Sequence, residues 1–196
     1  MKDILVLYYS HRGSVRALAE RLARGIDAVP GCQARLRTVP RVSTVCEAVE
    51  AEIPDSGSPY VEASDLEECH GLALGSPVRF GNMAAPMKYF WDGTIAAWQN
   101  GSLVGKPACV FTSSGSLHGG NETTLLSMML PLFHHGMVLM GIPHTESDLS
   151  HTTRGGTPYG ASHVAGAAGD PALTEAEARL AFAQGQRLAN LVMKLS

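Results

Sequence analysis

Apolar positions along the chain fall into short unbroken runs separated by longer stretches of helical spacing. The first run, Ile4 to Tyr9, stops at Ser10-His11-Arg12-Gly13-Ser14. From Val15 the pattern changes. Val15, Leu18, Ala19, Leu22, Ala23 and Ile26 recur at i, i+3, i+4 and i+7, which predicts an amphipathic helix ending near Pro30-Gly31. Four further runs follow: Leu36 to Val39, Gly71 to Ser76, Ala108 to Thr112 and Met137 to Met140. Continuous rather than alternating apolar runs suit strands covered on both faces, as in a parallel sheet. Helical patterns lie between them at Ala84 to Asp92 and Glu122 to His135, where Pro131 is expected to kink the helix or end its regular part. Thr174 and Glu177 form a T-x-x-E capping box ahead of a last helix, whose stripe runs through Ala178, Ala181, Phe182, Gly185, Leu188, Ala189 and Val192.

Strands that alternate with helices imply right-handed β-α-β crossovers and an open sheet with helices on both faces. Five strands predict an α/β, doubly wound parallel sheet in the flavodoxin-like order 2-1-3-4-5. The whole chain, 1–196, is read as one such domain with insertions at about 40–64 and 141–169. Connections of that length are expected to be functional loops, lids or subunit contacts.

Composition and charge narrow the partners. A net charge of -3 over 196 residues gives no global attraction for nucleic acid or an anionic membrane. The start, MKDILVLYYS, has an early Asp and too few apolar residues for a signal segment or a membrane span, so a cytoplasmic protein is expected. Cys32, Cys46, Cys69 and Cys109 form no C-x-x-C pair and read as reduced, packed thiols. His134 and His135 are adjacent, which on a helix turns their side chains about 100° apart. No metal site is expected.

The chemistry concentrates in three loops. In an open α/β sheet, ligands bind at the carboxyl ends of the strands where the strand order reverses. The loops there read SHRGSV (10–15), PVRFGN (77–82) and SSGSLHGGNE (113–122). The first opens a helix, so free amides and the positive end of the dipole face what lies above it. Two readings stand for it: an ordinary turn in which Ser14 caps the helix, or a cradle for a phosphate with Ser10 and Ser14 as hydroxyl donors. It matches neither a Walker A loop nor G-x-G-x-x-G. Three such loops under one topology favour a flat, phosphorylated heterocycle, with FMN the leading candidate.

At these residues the sequence resembles the WrbA family of flavodoxin-like NAD(P)H:quinone oxidoreductases. The resemblance spans nearly the whole chain, through VLYYS-x-x-G, GSPVRFGNM, FTSSGS-x-x-GG-x-E, HHGM and RGGTPYGAS. It implies FMN as cofactor, with the phosphate on Ser10, His11, Arg12, Gly13, Ser14 and Val15. It further implies that Pro77, Val78, Arg79 and Phe80 border the isoalloxazine ring and that Ser113, Ser114, Gly115, Ser116, Leu117, His118 and Gly119 wrap its other edge. His134 is expected at the flavin, and Trp98 in the pocket for nicotinamide and quinone. The implied activity is two-electron reduction of quinones to hydroquinones by NADH or NADPH, through ping-pong hydride transfer at flavin N5. Arg79 and His134 would have electrostatic roles only. A homotetramer completes the picture, with RGGTPYG at a subunit contact or pocket rim.

Two departures distinguish this chain from the family pattern. Arg12 stands where members often carry an aromatic implicated in nicotinamide contact, so Arg12 belongs to both the phosphate and the substrate assignments. The third loop, with Leu117-His118, is one residue longer than members reading T-G-G-G. The alternatives are a flavodoxin-type one-electron carrier and a flavin-binding regulatory or scaffold protein. The carrier usually relies on a strongly acidic face, which a charge of -3 does not supply.

Overall fold

The computed structural model describes residues 1–42 and 56–195. Part of the 40–64 insertion, with Cys46, lies outside the described residues. In chain order the elements are β1 (Lys2–Tyr8), α1 (Ser14–Asp27), β2 (Cys32–Thr38), α2 (Ala63–Glu68), β3 (Gly71–Pro77), α3 (Ala85–Asp92), α4 (Ile95–Gln99), β4 (Pro107–Ser114), α5 (Asn121–His134), β5 (Val138–Leu139), α6 (Asp148–His151), β6 (Ala161–Val164) and α7 (Glu175–Leu195).

All strand pairings are parallel and the order is β2-β1-β3-β4-β5, as the apolar runs predict. The fifth position is shared by two strands. β5 pairs with the start of β4 at Pro107 and Ala108, and β6 pairs with its end from Phe111 to Ser114. The chain between them is an insertion within a single strand position. The sequence reading places one strand there and misses β6.

Because successive strand residues point to opposite faces, each apolar run feeds two cores. Ile4, Val6, Tyr8, Ala73, Cys109 and Phe111 face α1 and α7 on one side. Leu5, Leu7, Leu72, Leu74, Ala108 and Val110 meet Met87 of α3 and Leu125, Met128 and Leu132 of α5 on the other. Each fully buried aliphatic side chain of this kind contributes about 1.5–3 kcal/mol. Helices α1 and α7 approach backbone to backbone: a Cβ on Gly185 would sit 2.1 Å from the Leu22 carbonyl oxygen, and one on Gly25 2.1 Å from that of Phe182.

Pro131 does not end α5, which continues to His134, and its last turn closes with the His135 amide donating to the Pro131 carbonyl at 3.0 Å. So near the C-terminus, Pro131 removes a donor only toward Ser127, whose surroundings are partly open to solvent. Cys32, Cys69 and Cys109 are free and buried, and burial pushes the Cys69 thiol up to about 11. No helix of the described residues is long and apolar enough to cross a membrane.

Candidate functional site

The carboxyl ends of β1, β3 and β4 open into a cavity of about 540 Å³, within the range of cofactor sites. At its floor the chain leaves β1 and turns into α1. Gly13 takes the N-cap position with φ 91, a conformation that favours glycine, and it supplies no capping side chain. Ser14 is the first helical residue, so it is not the cap that the turn reading assigns. The capping hydroxyl comes instead from Ser10, whose Oγ accepts hydrogen bonds from the Gly13 amide at 3.1 Å and the Arg16 amide at 3.3 Å. The amides of Ser14 and Val15 have no acceptor among the described residues. Two orphan donors at the positive end of a fourteen-residue helix thus face the cavity.

The second loop leaves β3 and reverses within four residues. The Arg79 amide donates to the Asn82 carbonyl at 2.8 Å, and the Asn82 amide returns to Arg79 at 3.0 Å. The central pair, Phe80 (φ 53) and Gly81 (φ 77), both lie at positive φ, as a type I′ turn demands. Phe80 pays a backbone strain that a glycine would avoid. Its ring is not packed in the core but fully exposed at the cavity wall. The loop is tied to β4 by the Val78 amide, which donates to Ser113 at 2.9 Å.

The third loop follows β4. The Ser114 hydroxyl donates to the Ser116 carbonyl at 2.8 Å, and the Gly119 amide to the same carbonyl at 3.0 Å. Ser113, Ser114, Gly115, Ser116 and Gly119 line the cavity, whereas Leu117 and His118 do not. Leu117 is exposed. The two residues that depart from the family pattern are therefore the tip of the turn.

A fourth loop, which the three-loop reading misses, closes the cavity. Ala165, Gly166, Ala167 and Gly169 line it, directly after β6. The Ala165 amide donates to Ser114 at 2.8 Å, and a Cβ on Gly169 would come within 2.8 Å of Arg12 Cδ. The sequence signal was the glycine-rich 141–169 stretch, whose pairing partner could not be read. Within RGGTPYG, Gly155, Thr157 and Gly160 are buried while Arg154, Pro158 and Tyr159 are exposed.

Among the predicted site residues, Ser10, His11, Arg12, Ser14, Val15, Pro77, Val78, Arg79 and Phe80 line this cavity together with the third-loop residues named above, and Gly13 turns the chain beneath it. Arg12 and Arg79 are its cations, and among the described residues no carboxylate lines it. Trp98 and His134 are not brought there. His134 ends α5, which starts beside the cavity and runs about 20 Å back to the opposite edge of the sheet, where β5 pairs with the first residues of β4. Trp98 Nε1 donates to the His134 carbonyl at 2.8 Å, so both lie at that far edge. The neighbouring His135 is buried, 3.0 Å from the Thr94 hydroxyl. Its pKa is lowered by burial and secondarily by His134.

A parallel sheet in this order, with small-residue polar loops around a cation-lined cavity at its carboxyl edge, defines a flavodoxin-like fold with its ligand site at the strand-order switch. The chain belongs to the NADPH-dependent FMN reductase family, whose profile matches residues 3–147, and is by class an NAD(P)H-dependent flavin oxidoreductase. A protein of Solidesulfovibrio magneticus named NAD(P)H dehydrogenase (quinone) is 40% identical over 203 aligned residues, covering 98% of each chain. A second of the same name, from Chromohalobacter salexigens, is 40% identical over 200, covering both completely. Among solved structures, a flavodoxin, WrbA-like protein from Agrobacterium tumefaciens superposes over the full length of both chains with a TM-score of 0.68 at 19% identity, a likeness of fold.

Proposed function

We propose that this chain reduces quinones to hydroquinones by two electrons from NADH or NADPH through FMN held in the carboxyl-edge cavity. The observation that carries this reading is the meeting of two orphan helix amides, two arginines and an exposed aromatic in one cavity that no carboxylate of the described residues lines. The Ser14 and Val15 amides, the hydroxyls of Ser10 and Ser14 and the Arg12 guanidinium would bind the phosphate. Phe80 and the backbone of 77–79 and 113–116 would enclose the isoalloxazine ring, and the Arg79 charge would favour negative charge developing on it. When bound, FMN supplies the electron transfer itself; the chain binds, orients and excludes water. No side chain acts as a nucleophile.

In this reading the nicotinamide and the quinone stack in turn on the same exposed face of the bound flavin. Ping-pong kinetics follow. Steady-state assays of the purified FMN-loaded protein with NADH and benzoquinone should give parallel double-reciprocal lines. FMN-loaded protein without quinone-dependent NADH oxidation would overturn the proposal.

Assembly belongs to the same reading. Trp98 and His134 sit too far from their own chain's cavity to reach its contents, so a role for them at a flavin requires a second subunit. Leu126, Leu130 and Phe133 on α5, with Val104 and Val138, leave exposed apolar groups around that edge, which supports self-association there; the assembly we propose is a cytoplasmic homotetramer in which one subunit's far edge meets another's cavity.

A further inference from the structure

His163 and Glu177 are the most deeply buried ionisable pair among the described residues, with no exposed surface on either side chain, and the cavity chemistry does not use them. His163 lies on β6 and Glu177 in the first turn of α7. The imidazole Nδ1 is 3.0 Å from Glu177 Oε2, and Nε2 is 2.8 Å from the backbone carbonyl of Asp170. That carbonyl can only accept, so Nε2 carries a proton. Glu177 Oε1 already accepts from the Gly155 amide at 2.8 Å and the Val164 amide at 3.1 Å, and Oε2 from the Thr174 amide at 2.8 Å. A carboxyl group with three backbone donors is held ionised, and Nδ1 must donate to it. Both ring nitrogens are therefore protonated, and His163 is an imidazolium.

The cation has a position in the fold that gives it a task. The carbonyl it grips ends the fourth cavity loop. The Asp170 amide donates to Ala165 at 2.9 Å and the Gly169 amide to Gly166 at 3.1 Å, so 165–170 is a closed turn, and Gly169 lies beside Arg12 with no room for a side chain between them. We infer that the buried His163–Glu177 pair is a positioning latch, holding the 165–170 turn and through it Arg12 in the geometry that binds the FMN phosphate. The inference rests on the cavity being the flavin site. If His163 loses a proton, the one that remains stays on Nδ1 against the charged carboxylate, the bare Nε2 lone pair faces the Asp170 carbonyl, and the turn is released.

The charges facing His163 come from two elements. Glu177 of α7 attracts the proton, and Arg154 of the insertion, which itself donates to the Val164 carbonyl, repels it. β4 places the uncharged Ser113 in register, and the buried face of α1 carries no charge. Burial opposes the imidazolium, but the hydrogen bonds to Glu177 and Asp170 outweigh it and raise the ring's pKa. Latching is complete below the ordinary imidazole value of 6.5 and is lost as pH rises through the raised value.

The test compares wild type with His163→Gln, which can donate to one partner but carries no charge. Nitrogen-15 NMR of the apoprotein should show both His163 ring nitrogens protonated at pH 6.5. FMN affinity, from quenching of flavin fluorescence, should be about tenfold weaker in the variant at pH 6.5. Wild-type affinity should fall toward the variant's as the ring titrates, while the variant's profile stays flat. Hydrogen exchange at 165–170 should accelerate in the variant and, for wild type, over the same pH step after correction for intrinsic rates. A ring with one bare nitrogen at pH 6.5, or equal FMN affinity in two folded proteins, overturns the latch. If neither protein binds FMN, the flavin reading fails on its own; exchange at 165–170 that is then the same in both overturns the latch as well.

Discussion

The first cavity loop, 10–14, and the last, 165–170, face each other across one opening yet are held by different physics. The first is fixed by its immediate neighbours in the chain: Ser10 Oγ takes the amides of Gly13 and Arg16, and Gly13 supplies the left-handed turn. The last closes on itself with two backbone bonds but is anchored to the fold from outside, by Ser114 at its start and at its end by His163, which holds Asp170 and is itself held by Glu177. The backbone of a loop of the first kind tolerates changes elsewhere in the molecule, and it loses ligand when its own residues change. A loop of the second kind fails from a distance.

The largest expected effect breaks the second kind. Glu177→Ala leaves an imidazolium buried without its counterion and three backbone amides without an acceptor. Breaking a buried pair from one side costs about 3–5 kcal/mol, which urea unfolding at pH 6 would measure. A loss below about 1 kcal/mol would mean that the two loops do not differ in the way argued. The pH profile carries the same information. The fold lowers the Glu177 pKa to about 2, since His163 and the Thr174 and Val164 amides together outweigh the effect of burial. Its contribution is present above the ordinary carboxyl value of 4.5 and is lost as pH falls toward 2. That of His163 is complete below 6.5 and is lost as pH rises through its raised value. The urea midpoint should therefore be level between about pH 4.5 and 6.5 and fall on both sides, and Glu177→Ala should remove both shoulders.

A smaller effect sharpens the first kind. Ser10→Ala with Ser14→Ala should weaken FMN binding by roughly 1–3 kcal/mol, the cost of charge-assisted hydrogen bonds to a phosphate. Most of that should come from Ser10, because its Oγ also orders the Gly13 and Arg16 amides. Calorimetric titration of the single and double variants separates the two. Unchanged affinity in the double variant would remove the phosphate assignment.

The same division between local and distant determinants decides what the sequence shows. β1, β3 and β4 are legible because unbroken apolar runs have few other fates, and α1 because its stripe has a clear period. The turn at 79–82 is only half legible: Gly81 signals it, but nothing announces that Phe80 adopts a positive φ and turns its ring outward. β6 is hidden for a physical reason. Ala161-Ser162-His163-Val164 has no apolar run, because its polar side chains are satisfied inside the protein by partners at 156 and 177. A polar residue buried by a distant partner reads, in sequence, as a surface residue. Trp98 and His134 show the converse: the family resemblance names them, and the fold then shows that their own cavity is out of reach.

The smallest effect concerns Glu177, which takes part in both a local and a distant contact. Thr174 and Glu177 form the expected reciprocal cap: the Glu177 amide donates to the Thr174 hydroxyl at 3.2 Å, and the Thr174 amide to Glu177 Oε2 at 2.8 Å. The T-x-x-E pattern reports this local role and is silent on the second, in which the same carboxylate holds His163. Thr174→Ala removes only the hydroxyl half of the cap, since the alanine amide can still donate to Glu177. It should cost about 1 kcal/mol of stability and leave FMN affinity within twofold of wild type, with the two roles of Glu177 thereby separated. If affinity instead falls as far as in His163→Gln, the position of the Glu177 carboxylate depends on the cap, and the distant loop is controlled from the first turn of α7.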